Sequence, residues 1–237
     1  MGQAVEALAR ERGHEVVARF NARQPLASAE DVTALGGAEV VIDFSLPDLV
    51  LEHIKRYCRW NQAAVVGTTG WYEDLDQVRA WVEESRAGML YAPNFSLGVA
   101  LLVRALRGLV PLLDRLPEYD VAVHEAHHTG KVDSPSGTAL LLAGMLRDGL
   151  ARKTHLETET QHHAVAPEAL HVTSTRLGSV FGMHTVYLDS PFDQITLSHG
   201  AKNRQGFAFG AVKAAEWLPG HQGLFTLDAM LAEGLSA

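Results

Sequence analysis

The chain has 237 residues, a formal charge of -8, 47% hydrophobic residues and 20% charged ones, which is ordinary globular composition at a length that buries one large core or two smaller ones. The acidic balance disfavours nucleic acid as a partner, because phosphate binding asks for a basic face, and the single cysteine, Cys58, excludes an internal disulfide and a disulfide-built secreted module. Charged residues among the first twenty positions leave no secretory signal, and no apolar run is long enough for a bilayer, so a cytoplasmic protein without a membrane partner is expected.

Read from its start, MGQAVEALARERG carries a helical stripe on Val5, Leu8 and Ala9 that stops at Gly13, and HEVVARF (14–20) reads as a strand. The sequence thus opens on a helix with no strand before it. GAEVVIDFS (37–45) is a β-branched run of the kind found in a parallel strand covered on both faces. PDLVLEHIKRYCRWN (47–61) follows as an amphipathic helix with proline near its start, and Cys58 is expected as a half-buried helix residue. QAAVVGTTG (62–70) is a second buried strand that runs into a Gly-Thr-Thr-Gly turn. EDLDQVRAWVEESRAG (73–88) is a helix closed by glycine, and MLYAPNFS (89–96) is a short strand and loop. The alternation predicts a parallel sheet with helices on both faces.

Next comes LGVALLVRALRGLVPLLDRL (97–116), an apolar helix that Pro111 is expected to break or kink. EYDVAVHEAHH (118–128) alternates and is predicted as a strand, and TALLLAGMLRDGLARK (138–153) as a helix. Residues 154–170 have no period and read as a loop. LHVTSTRLGSVFGMHTVYLD (170–189) and QITLSHGAKNR (194–204) are strand-rich, AFGAVKAAEWL (208–218) is a helix, and LFTLDAML (224–231) adds a short one. The pattern is an α/β half, an α+β insertion and a return to the first half.

The chemistry gathers in VHEAHHTGKVDSPSGTALLLAGM (123–145). His124, Glu125 and His128 spell H-E-x-x-H, the pattern of a zinc hydrolase, with His162 and His163 as further ligand candidates. That motif works only on a helix, where i and i+4 share a face; here the residues before it alternate as a strand, and TGKVDSPSG after it is loop-forming. Zinc is therefore the weaker reading. Ser134 to Thr138 form a turn into a helix whose first N–H groups lack internal partners and sit at its positive end, a seat for a carboxylate or phosphate. Gly137 lets a ligand approach, and Thr138 adds a hydroxyl, although a plain cap holding water fits the same residues. Lys131, His127 and His128 lie just upstream, and Asp133 either orients Lys131 or, the favoured reading, caps a turn. Imidazoles, an ammonium and an anion seat together suit a small acidic substrate that has to be protonated.

EAHHTGKVDSPSGTA (125–139) closely resembles the E-[AL]-H-H-x-x-K-x-D-x-P-S-G-T-A signature of the 4-hydroxy-tetrahydrodipicolinate reductase (dihydrodipicolinate reductase) family of diaminopimelate and lysine biosynthesis. VIDFS (41–45), VVGTTG (65–70), APNFSLGV (92–99) and HGAKNRQGFAFGAVKAAEWL (199–218) resemble further family segments in the same order. The resemblance implies reduction of 4-hydroxy-tetrahydrodipicolinate, through its dehydrated form, by NADH or NADPH and without a metal. It implies His127 as proton donor and acceptor, Lys131 as second proton donor, and Ser136, His128, Gly137 and Thr138 as contacts to the small dicarboxylate substrate. Gly67, Thr68 and Thr69, with Ala92, Pro93, Asn94 and Phe95, would line the nicotinamide side of the cofactor. The implied fold is α/β: a Rossmann-like dinucleotide domain from residues 1–96 plus 204–237, and an inserted α+β domain, 97–203, that binds substrate and builds a homotetramer. Hinges near 97 and 203 would close the two.

Two departures from the family pattern carry expectations. The family's G-x-x-G-R-M-G loop is represented only by its last two residues, Met1 and Gly2, still expected as cofactor contacts, and the first strand is missing from the sequence. Weak NAD(P)H binding, or an inactive homologue, is expected on that ground. Where the family often has an acid for the adenosine ribose, this chain has Asn21, with Arg19 and Arg23 nearby. Removing the acid removes a repulsion of the 2′-phosphate, so use of both cofactors or some preference for NADPH is expected.

Overall fold

In the computed structural model, which describes residues 1–234, the chain runs through α1 (Gly2–Glu11), β1 (Val40–Asp43), α2 (Pro47–Arg59), β2 (Ala63–Val66), α3 (Leu75–Ser85), β3 (Gly88–Tyr91) and α4 (Leu97–Leu113). It continues through β4 (Asp120–His127), α5 (Gly137–Gly149), β5 (His155–Glu157), β6 (Ala169–Arg176), β7 (Met183–Asp189), β8 (Gln194–Gly200), α6 (Gln205–Trp217), β9 (Gly223–Thr226) and α7 (Leu227–Glu233). Two units result: Met1–Leu97 with the chain from Arg204 onward, and Gly98–Asn203.

The first unit is built on a parallel sheet in the order β1-β2-β3-β9. Its strands are short and apolar; Ala64, Val65 and Val66 are fully buried, as a strand covered on both faces requires. Helix α2 starts on Pro47, whose fixed φ suits the first turn, and buries Val50, Ile54, Tyr57 and Cys58 along one stripe. Cys58 is thus buried, not half-buried.

The second unit carries a mixed sheet in the order β5-β6-β4-β7-β8, with β4 parallel to β6 and antiparallel to β7. One face takes Val121, Val123, Val172, Val186 and Leu188, which share a buried core with residues of α4 and α5. Alternate positions, Ala122, His124, Thr173, Met183 and Tyr187, belong to the opposite face.

Four expectations need correction. HEVVARF (14–20) is not a strand: Val16, Ala18 and Phe20 are half-buried while Val17 and Arg19 are exposed, yet no ladder joins it to the described sheets. Alternation sets the faces of an extended segment, but a strand also needs a backbone partner. Pro111 does not break α4, which runs on to Leu113: the proline costs one N–H bond and crowds the preceding turn, and burial of Leu102, Leu106, Val110 and Leu113 along the helix offsets that. Within 154–170, His155–Glu157 pair in parallel with β6; three residues are too few to reveal a period. Residues 224–226 are strand, paired with β3, and the helix starts only at Leu227, capped by Thr226, whose side chain accepts from the N–H of Ala229.

Candidate active site

Glu125 and His127 stand two residues apart near the end of β4, so they continue the inward-facing row begun by Val121 and Val123. The sheet register then sets their neighbours. Arg176 of β6 lies opposite His127, and His184 of β7 lies opposite Glu125, with His199 of β8 next to it.

Glu125 is completely buried, a position where an unpaired carboxylate is costly. It is fully partnered. Arg176 donates to both oxygens, Nη2 to Oε1 at 2.8 Å and Nη1 to Oε2 at 3.0 Å; the N–H of Ser136 reaches Oε1 at 3.2 Å. His127 Nδ1 lies 2.5 Å from Oε2. Burial alone pushes this carboxyl up, but hydrogen bonds from Arg176 and His127 outweigh it and bring the pKa down to about 2. The second imidazole nitrogen, Nε2, faces Gly182, where an added Cβ would stand 2.9 Å away. Glycine there keeps the space beside Nε2 clear, on a backbone with φ of 142° that side chains rarely adopt. The ring of His184 meets that of His127 edge-on at 5.1 Å. Burial, and after it the neighbouring His127, pushes His184 down to about 4, so it stays neutral. Its Nε2 lies 3.1 Å from Ser136 Oγ.

Beyond β4 the chain turns back over this cluster. Lys131 Nζ pairs with Asp133 at 2.8 Å, and the Lys131 N–H donates to the His128 carbonyl. Asp133 does both things weighed for it: the Lys131 ammonium, first among its partners, holds its carboxyl below the usual range, and backbone N–H groups, that of Gly137 among them, lower it further as they would for a turn cap. Ser136 caps α5, its Oγ accepting from the Ala139 N–H at 3.3 Å. Gly137 and Thr138 are the first helical residues, and a Cβ on Gly137 would meet nothing within 4 Å. Helix end, ammonium and buried imidazole thus belong to one continuous stretch of chain, able to hold an anion and exchange a proton.

The zinc geometry is absent. His124, Glu125 and His128 lie on or just after a strand, His124 bonds Thr173 through Nδ1 at 2.8 Å, and Glu125 is committed to Arg176. His162 and His163 lie in the loop between β5 and β6, and among the described residues no group of three or more His, Cys, Asp or Glu side chains is placed to hold an ion.

In the first unit, Gly67, Thr68 and Thr69 follow the C-terminal end of β2, and Ala92, Pro93, Asn94 and Phe95 follow that of β3, its direct neighbour. Carboxyl ends of parallel strands are where open α/β sheets receive ligands. Thr68 Oγ1 donates to the Ser45 carbonyl, and Asn94 Oδ1 accepts from the Ser96 N–H, so these side chains shape the loops, while Thr69 and Pro93 are exposed. Met1 and Gly2 stand at the start of α1, where Met1 makes no side-chain cap. Asn21 uses its Oδ1 to accept from the N–H groups of Arg23 and Gln24, and Arg19 is engaged by Glu6 at 2.5 and 2.7 Å. Of these residues, those of the loops after β2 and β3 stand where an open parallel sheet would receive a dinucleotide.

Sequence reasoning missed Arg176, His184 and Gly182, and it read Glu125 only as part of a metal motif. The E-x-H spacing was the available signal, since two residues apart on a strand means one face. Nothing local marks Arg176 or His184; strand register brings them in.

Comparisons with known proteins cover nearly the whole chain. Residues 1–95 match the family model described as dihydrodipicolinate reductase, N-terminus, and residues 98–231 the one described as dihydrodipicolinate reductase, C-terminus. A 4-hydroxy-tetrahydrodipicolinate reductase of Christiangramia forsetii is 33% identical over 98% of this chain and 94% of its own. The Chromobacterium violaceum protein of that name is 36% identical over 86% and 77%. Among solved structures, a dipicolinate-bound dihydrodipicolinate reductase from Paenisporosarcina sp. TG-14 superposes with a TM-score of 0.77 at 23% identity, covering 95% of this chain and 92% of that one, a likeness of fold.

Proposed function

The chain belongs to the dihydrodipicolinate reductase family, and from that premise we propose that it reduces 4-hydroxy-tetrahydrodipicolinate, through its dehydrated form, to tetrahydrodipicolinate at the site around His127 and Lys131. It is an NAD(P)H-dependent oxidoreductase of the diaminopimelate route to lysine. NADH or NADPH, when bound, supplies the hydride. The loops after β2 and β3 would hold it, with Met1 and Gly2 as further contacts, residues 1–96 and 204–237 forming the cofactor domain and 97–203 the substrate domain.

The observation that carries this reading is the run from His127 to Thr138. The N–H groups of Gly137 and Thr138, with Ser136 and His128, take a substrate carboxylate at the positive end of α5. His127, braced on its Nδ1 side, exchanges a proton through Nε2. Lys131 stabilises the charge left by reduction and donates a proton. Dipicolinate in the related Paenisporosarcina structure supports a small dicarboxylate as substrate. The engaged Arg19 leaves Arg23 as the cation for a 2′-phosphate, consistent with use of both cofactors. We further propose a cytoplasmic homotetramer built through the outer face of the second sheet.

Lys131→Ala tests the assignment. Loss of reduced nicotinamide absorbance with freshly generated substrate should slow by about 10²- to 10³-fold in kcat/KM, the scale of a lost proton donor. Undiminished turnover overturns the role of Lys131; no turnover in the wild-type protein favours the inactive homologue.

A further inference from the structure

Arg176 makes more contacts than an ion pair needs. Its Nε donates to the Lys131 carbonyl at 3.3 Å, Nη1 to Glu125 Oε2 at 3.0 Å and the Thr175 carbonyl at 2.9 Å, Nη2 to Glu125 Oε1 at 2.8 Å and the Asp133 carbonyl at 2.6 Å. A guanidinium has five N–H groups in one rigid plane, and each of them has an acceptor here. Two acceptors belong to the carboxylate that holds His127, and two to the backbone of the loop that carries Lys131.

We propose that Arg176 is a positioning residue that sets both proton-handling groups at once, fixing His127 through Glu125 and the Lys131 loop through the carbonyls of Lys131 and Asp133. The inference rests on the roles given above to His127 and Lys131. Glu125 Oε2 accepts from His127, which requires the ring proton on Nδ1 and leaves the Nε2 lone pair facing the gap at Gly182. Without the guanidinium, Glu125 is a buried, half-partnered carboxylate that turns toward other donors and releases the ring. The same loss frees the 131–133 backbone. Lysine cannot substitute, because an ammonium is a point charge with three donors and does not span a carboxylate and two carbonyls.

The test compares wild type, Arg176→Lys and Glu125→Gln. Ring-nitrogen NMR of histidine-labelled, ligand-free protein at mildly alkaline pH reads the tautomer, with the His127 signal assigned by its loss in His127→Asn. Wild type should show the proton on Nδ1; both variants should show a mixture. Steady-state assays on the folded variants should show kcat lowered by about 10²-fold with KM for the substrate little changed, because positioning is lost and not binding. A purely structural role for Arg176 predicts a lower melting temperature with tautomer and kcat intact, and that result overturns the proposal. So does a wild-type proton on Nε2, which is read even if both variants fail to fold. Wild-type protein with the expected tautomer but no reductase turnover would sink the assigned function and leave the positioning network standing.

Discussion

Two buried titratable groups, Glu125 and His184, face each other across β4 and β7, and the chain holds one charged and the other neutral. The difference lies in partners. Glu125 has a guanidinium, whereas His184 has Ser136 on one nitrogen and, on Nδ1, a buried atom with no hydrogen-bond partner. Titratable groups around His184 are His127, Glu125, His199 and Lys131. The two shifts give stability a stepped dependence on pH. His184 sits at about 4 when folded, below the 6.5 of a free imidazole. Between those values the unfolded chain binds a proton that the folded one refuses, so stability falls as pH drops from 6.5 toward 4. Glu125 sits at about 2 against 4.5 when free, so its contribution, complete above 4.5, is lost as pH falls toward 2. His184→Gln should shrink the upper step by on the order of 1–2 kcal/mol, leaving the part due to His199, whose half-buried ring is also pushed down, and keep the lower. Urea unfolding at a series of pH values reads both; an unchanged slope in the upper window refutes the neutral, buried histidine.

At the scale of elements, the helical glycines separate two opposing effects. Glycine inside a helix costs about 1 kcal/mol against alanine. Gly108 in α4 and Gly144 in α5 have nothing within 4 Å of an added Cβ, so alanine there should stabilise by roughly 0.5–1 kcal/mol. Gly210 in α6 is different: an added Cβ would drive into the carbonyl of Phe95, a backbone atom that cannot rotate away. Gly210→Ala should destabilise by roughly 1–3 kcal/mol, lower the melting temperature by several degrees and weaken NADH binding through the shifted 92–95 loop. Thermal melts and a fluorescence titration check both; a Gly210→Ala protein as stable as Gly144→Ala contradicts the close approach. This packing was invisible in AFGAVKAAEWL, although the helix itself was plain. Periodicity revealed elements with long buried stripes, such as α2 and α4, and the alternation around His127 revealed β4. It failed where pairing decides the outcome. HEVVARF has a strand's alternation without a ladder, LFT becomes strand by lying beside β3, and HLE is too short to show a pattern. For the same reason the run from His127 to Thr138 was legible as a site, while Arg176, about fifty residues further along the chain, was not.

For the whole molecule, the proposed tetramer puts its contact on the outer face of the five-stranded sheet. Helices α4 and α5 contribute to the core on one side. Across the other face, register lines up Thr173, His124 and Thr185 in one row and His171, Ala122, Tyr187 and Thr196 in the next. Met183 and Tyr187 are 40% and 37% exposed. Glu157 ends the Tyr187 row and Asp120 and Asp189 stand in the row beyond, so the half-exposed tyrosine lies inside an acidic rim, and a patch of this kind meeting its own copy needs a two-fold axis. The proposed tetramer therefore makes a specific demand of Tyr187. A glutamate there would place like charges near the axis in an interface that excludes water, a cost on the order of several kcal/mol per contact and enough to dissociate an interface of standard size. The inward core residues are not touched, so the subunit should keep its fold. Light scattering after size exclusion should give a tetramer for the wild-type chain and smaller species for Tyr187→Glu, with circular dichroism unchanged. A wild-type monomer at micromolar concentration, or a tetramer that tolerates Tyr187→Glu, rules this face out as the contact and assigns the exposed tyrosine to solvent.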